Sequence, residues 1–191
     1  GPWTLSPPQP AFGASDVHGH YITMWKRQAD DSWKVLLDIG IDYPQNLPAA
    51  TGKLASPRLE SATRHDGDAD EERDVLMELD RSMAGYESFA DALEATAAED
   101  IRFYRSGFPP FIGRVETLDA LSESDVQLVW NPMDAGVASS LDLGYTYGTG
   151  RFVGPSSPAA QVSYLRIWRR DEEGGWGIVL DAAIPAPAPG G

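Results

Sequence analysis

Apolar residues recur at two periods along this chain. Between Asp68 and Ala84, Val75, Leu76, Leu79 and Met83 fall on one side of a helix, and the opening DADE puts acids where an N-terminal cap and the helix dipole favour them. A second helix is predicted over Ser88 to Ala98, burying Phe89 and Leu93. Beyond it the period falls to two. IRFYRSG reads as a short strand, and FIGRVETLDALSE carries a short helix presenting Leu118 and Leu121. DVQLVWNP, SLDLGYTYGTGRFV and a closing hairpin supply further strands. Helices first and strands after predict an α+β domain with an antiparallel sheet.

That closing hairpin occurs twice. YITMWKRQADDSWKVLLDIGIDYP aligns without a gap on YLRIWRRDEEGGWGIVLDAAIPAP at an offset of 143 positions. Tyr21 falls on Tyr164, Trp25 on Trp168, Trp33 on Trp176 and Asp38 on Asp181. The loops QADD and DEEG suit four-residue connections. In that register Leu165 and Ile167 oppose Leu180 and Ile178 on an aliphatic core face. Tyr164, Arg166 and Trp168 share the other face with Asp181, Val179 and Gly177. Asp181 then lies across from Tyr164, and Asp38 across from Tyr21, as structural cross-strand pairs on the outer face. Trp176 is expected in the core and Trp168 on the far side. The predicted organisation is a hairpin portion of an incomplete first repeat over 1–45, a Pro/Ser/Gly-rich linker over 46–67 and a complete domain over 68–188. GPW at the start is expected to end a strand equivalent to GYTYGTGRF, and the tail PAPAPGG to be extended.

Composition narrows the function classes. The formal net charge of −14 over 191 residues argues against nucleic acid and against an anionic membrane face. With no cysteine, thiolate nucleophiles and Cys-type zinc sites are excluded. No apolar run approaches the roughly 20 residues of a membrane-spanning helix. Cytoplasmic and exported locations both stay open, because the sequence lacks an initiator methionine.

Few residues have the pattern of chemistry. Asp142, amid Leu141, Leu143, Tyr145 and Trp130, is the candidate general base, if the strand turns it inward; on the solvated face it only alternates with Leu143. Tyr104 and Arg105, where a strand leaves the core, suit an anionic ligand or a surface acid equally. Trp130 and Tyr145 complete the candidate ligand-binding set. His18 and His20 share one side of an extended segment, without a third metal ligand nearby. A calcium loop from Asp66 is rejected, since Glu71 stands at its glycine position and Met77 at its closing acid. No metal and no cofactor is expected.

The order helix, helix, IRFYRSGFPPFIG, short helix, then W-x-P, DLGYTYG, YLRIWRR and W-x-IVLD resembles the nuclear transport factor 2-like superfamily. That superfamily includes SnoaL-type polyketide cyclases and ketosteroid isomerases, and the chain is most similar to its bacterial branch of unknown function. The resemblance implies a cone-shaped, curved antiparallel sheet wrapped around the long N-terminal helix, with a small-molecule pocket at its open end. It also implies an Asp, or a Tyr/Asp pair, abstracting a proton beside a carbonyl without metal or organic cofactor. The expected function is binding of a small apolar or carbonyl-bearing ligand, with cofactor-free acid–base chemistry if the pocket is catalytic. The alternative is a non-catalytic module that self-associates through sheet faces, within one chain or as a homodimer, as resemblance to the superfamily implies.

Overall fold

A computed structural model of the chain describes residues 1–6, 16–43, 64–122, 127–154 and 157–186. Most of the predicted linker and the tail from Pro187 lie outside them. The chain divides into two units, Gly1–Pro57 with Arg105–Pro109, and Arg58–Tyr104 with Pro110–Gly191.

The first unit holds a three-stranded antiparallel sheet in the order β1-β2-β3, from Pro2–Leu5, Val17–Arg27 and Trp33–Tyr43. β2 and β3 are rich in β-branched and aromatic residues, which suit a pleated surface. Their connection is five residues long, with Gln28 N–H donating to the Ser32 carbonyl and Asp31 at φ +65°. The register slips once, between Met24 and Trp25, so that Leu36 bulges out of the pairing.

In the second unit, helix α1 (Ala69–Ser82) starts at Asp68, whose carboxylate accepts from the backbone N–H groups of Asp70 and Glu71. Its buried face is Leu76, Met77, Asp80 and the following Met83, with Val75 45% exposed outside the stripe predicted for it. A single 3-10 turn, Met83–Gly85, leads to α2 (Phe89–Thr96), closed at its start by a reciprocal Ser88–Asp91 capping box. α2 stops two residues short of the predicted end because β4 (Ala97–Arg105) begins there.

The remaining elements are β5 (Phe111–Ile112), α3 (Arg114–Leu121), β6 (Gln127–Val137), β7 (Leu143–Gly154), β8 (Ser157–Arg170) and β9 (Trp176–Pro185). They form a six-stranded sheet in the order β5-β4-β9-β8-β7-β6. The sheet is open, with β5 and β6 at its edges. Along β6 the register shifts between Pro132 and Asp134. One face carries the core, where Leu76, Met77 and Met83 of the first helix and turn meet Phe89, Leu93, Phe103, Trp130, Tyr164, Trp168 and Ile178.

The β8–β9 hairpin departs from the predicted register. Its loop has five residues, Asp171 to Gly175, and a bulge between Ile167 and Trp168 leaves Val179 unpaired. Arg166, rather than Tyr164, therefore opposes Asp181, and Thr23, rather than Tyr21, opposes Asp38. Tyr164, Arg166 and Trp168 face the helices instead of the outside: Trp168 is fully buried and Trp176 half-buried at the core margin. The bulge returns both Trp residues to one face, which simple alternation had separated.

Candidate functional site

The buried surface of the second unit is not wholly apolar. Asp80 on α1, Arg166 on β8 and Asp181 on β9 are all at 0% exposure. Arg166 Nη1 donates to Asp80, and Arg166 Nε donates to Asp181 Oδ2 at 2.8 Å. The Tyr164 hydroxyl donates to Asp80, 3.2 Å from either carboxylate oxygen. Three ionised groups without solvent are tolerable only because each meets an opposite charge; loss of one partner typically costs about 3–5 kcal/mol.

The sequence builds this arrangement element by element. Asp80 sits one turn beyond Leu76 and Met77 and three residues before Met83, so α1 directs it inward with its apolar neighbours. Arg166 alternates with Tyr164 and Trp168 on β8, which puts all three on the helix-facing side. Glycines of β7 make room for the rings. A Cβ on Gly148 would come within 2.9 Å of Tyr164, and one on Gly150 within 2.7 Å of Trp130. Trp130 and Tyr164 meet edge to face at 4.6 Å, and the Arg166 guanidinium lies 4.1 Å from the Trp130 ring centre. Trp168 Nε1–H donates to Thr146 Oγ1 at 2.9 Å, tying its ring to β7 on the same face.

Electrostatics keep the cluster in one state. Burial raises the Tyr164 hydroxyl far above its ordinary range, and the adjacent Asp80 carboxylate raises it further, so the phenol stays protonated. For Arg166, burial pulls downward, but the carboxylates of Asp80 and Asp181 outweigh it and hold the guanidinium charged. The cluster thus sets one guanidinium between two carboxyl groups. One donor is unused: Arg166 Nη2 is buried and meets no hydrogen-bond acceptor among the described residues. Such a group costs about 1–3 kcal/mol unless something accepts from it.

Beside this cluster lies a cavity of about 270 Å³, lined by the 3-10 turn, the start of α2 and β6. Met83, Tyr86, Phe89, Val129 and Trp130 are among its walls. Phe89 and Trp130 are shared, because the same rings flank the Arg166 guanidinium at 6.0 and 4.1 Å.

Of the residues singled out in the sequence, only Trp130 joins this site. Asp142 lies in the β6–β7 turn, immediately before β7, with its carboxylate accepting from the Ser140 hydroxyl. Tyr145 pairs with Ile167 on the face away from Thr146, its ring stacked with that of Tyr147. Burial, then the Asp134 charge, raises its hydroxyl pKa. Tyr104 is buried but alternates with the core residue Phe103, and burial pushes its hydroxyl up as well. Arg105 closes β4. His18 Nδ1 meets Thr4 Oγ1 at 2.9 Å, and the His20 ring tilts against Tyr43. Among the described residues no group of three or more His, Asp or Glu is placed to hold a metal ion.

No protein-family model matches the chain, and no curated protein sequence does either. Solved structures do. The chain is similar to a ketosteroid isomerase-like protein from Erwinia carotovora atroseptica, at 18% identity and a TM-score of 0.53, over 62% of this chain and 99% of that one. It is also similar to an NTF2-like protein of unknown function from Pseudomonas putida KT2440, at 16% identity and a TM-score of 0.51, over 63% and 90% of the respective chains. At such identities the likeness speaks for the fold, which is the nuclear transport factor 2-like one.

Proposed function

We propose that this nuclear transport factor 2-like fold carries a binding site for a small, uncharged, carbonyl-bearing ligand in the cavity beside Trp130. The observation that supports it most is the unused donor Arg166 Nη2, fully buried beside aromatic walls that the cavity shares. A neutral oxygen suits that donor better than a third carboxylate, because Asp80 and Asp181 already set two carboxyl groups against the one guanidinium. The cavity volume of about 270 Å³, just below the roughly 300–1,000 Å³ of drug-sized sites, suits a ligand of a single ring. Phe89 and Trp130 supply its apolar contact surface.

The same reading has a chemical form. Arg166 and Asp80 stand behind Phe89 and Trp130 rather than among the cavity walls. In this form the two rings would part for a carbonyl oxygen to reach Arg166 Nη2 and be polarised, and Asp80, on the same guanidinium, would take a proton from the adjacent carbon. This assigns the role of base to Asp80 in place of Asp142, which lies in the β6–β7 turn outside the buried cluster. The test titrates the full chain with cyclic ketones and with the matching cyclic carboxylic acids, following the Trp130 indole N–H by NMR. Ketones should bind, acids should bind at least about tenfold more weakly, and Val129→Trp, which fills the cavity mouth, should abolish both. Acids binding as tightly as ketones, or binding that survives Val129→Trp, would overturn the reading. Deuterium uptake beside the carbonyl, lost in Asp80→Asn, tests the chemical form; uptake no faster than in that variant removes the acid–base step.

A further inference from the structure

The β2–β3 and β8–β9 hairpins share more than sequence. Each has a five-residue loop and a bulge at the same aligned step, Met24/Trp25 in one and Ile167/Trp168 in the other. Asp31 and Gly174, also aligned, both take positive φ. The face bearing Tyr21, Thr23 and Trp25 thus corresponds residue for residue to the face bearing Tyr164, Arg166 and Trp168. In the second unit that face is covered by α1 and α2, and Tyr164, Trp168 and Ile178 are 2%, 0% and 0% exposed. In the first unit, among the described residues, it is exposed: Tyr21, Trp25 and Val35 are 49%, 58% and 50% exposed, and Trp33 is 61% exposed. A Cβ on Gly40, where Ala183 stands in the other hairpin, would meet no atom of the described residues within 4 Å. Aromatic and aliphatic side chains grouped in this way on one sheet face mark a contact surface.

The polar centre of the face indicates what covers it. Arg166 with Asp181 in the covered hairpin becomes Thr23 with Asp38 in the exposed one, where the Thr23 hydroxyl donates to the Asp38 carboxylate. α1 meets its hairpin with Asp80 because a guanidinium awaits it. A helix bringing an acid to the first unit would bury two carboxylates with no cation between them. A helix bringing Lys or Arg would complete a pair.

We propose that the Tyr21–Thr23–Trp25 face docks an amphipathic helix whose apolar stripe carries one basic residue at the position Asp80 holds in α1. Its pattern would be two adjacent apolar residues, the Lys or Arg three positions after the second of them, and another apolar residue three positions further on, as in Leu76, Met77, Asp80 and Met83. This rests on the two hairpins and is independent of any ligand in the second unit.

The experiment uses the full chain and a peptide of residues 68–97 in two versions, native and Asp80→Arg, with amide NMR as the readout. The Asp80→Arg peptide should shift the amides of residues 21–27 and 33–40 saturably and bind at least about tenfold more tightly than the native peptide. In a Thr23→Arg chain, whose fold is checked by amide dispersion, the preference should invert; in Trp25→Ser both peptides should weaken. Equal affinities for the two peptides, shifts confined to the second unit, or absence of binding would overturn the proposal. So would a concentration-dependent doubling of mass in ultracentrifugation that Trp25→Ser abolishes, because a second copy would then be the occupant.

Discussion

Asp100 and Arg169 meet in a two-pronged pair, Nη1 to Oδ2 at 2.9 Å and Nη2 to Oδ1 at 2.8 Å. The hydrogen bonds from Arg169 hold the Asp100 carboxyl below its ordinary range, against a smaller upward pull from burial. Its folded pKa therefore lies below the unfolded value of about 3.9, so its stabilisation is complete above that value and lost as pH falls through the folded one. Urea midpoints measured between pH 6 and pH 2 should decline in the acid limb, and Asp100→Asn should make that decline shallower. With both side chains about half exposed, the difference will be small; a steeper decline in the variant would reverse the assigned sign. Single residues also show where reading the sequence stopped short. Asp80 looks like a surface acid between Leu79 and Arg81, yet apolar residues at −4, −3 and +3 already place it on the inner stripe. Arg166, between two aromatics of one strand face, is legible in the same way only once that face is known to be the covered one.

At the level of elements, helices and strands follow from period alone, because 3.6 and 2 are fixed by backbone geometry. The bulge does not. One extra residue in WGIVLD leaves the apolar pattern plausible in either register, and hydrogen-bonding geometry decides between them. The error it caused has a measurable form. Trp168, fully buried, should cost about 3–5 kcal/mol when replaced by Ala. Trp176, half-buried at the margin with Nε1–H on Glu72 Oε2 at 2.9 Å, should cost clearly less. Chemical denaturation of Trp168→Ala and Trp176→Ala decides; the reverse order would restore the register expected from alternation. The turn holding Asp142 escaped notice for a similar reason, since SLDLGYTYG alternates through a segment whose first residues belong to the loop.

For the molecule as a whole, the order of helices and strands anticipates the fold, while the open sheet and the buried Arg166 cluster depend on long-range pairing that no local pattern carries. Openness has a further consequence, and it concerns life at high concentration. An unclosed sheet offers its outermost strand as a template on which another chain can polymerise. β6 is that strand for eleven residues, and it carries its own interruption: Pro132 has no N–H to offer, and the slip beside it sets Met133 out of line, 61% exposed. Replacing Pro132 with Val and deleting Met133 would straighten the edge. Light scattering at millimolar concentration should then show fibres or precipitate that the native chain does not form, since a net charge of −14 slows encounters but does not remove a continuous ladder. A variant as clear as the native protein would mean that the interruption at Pro132 is not what protects this edge, where Arg73 also donates to the Ala135 carbonyl.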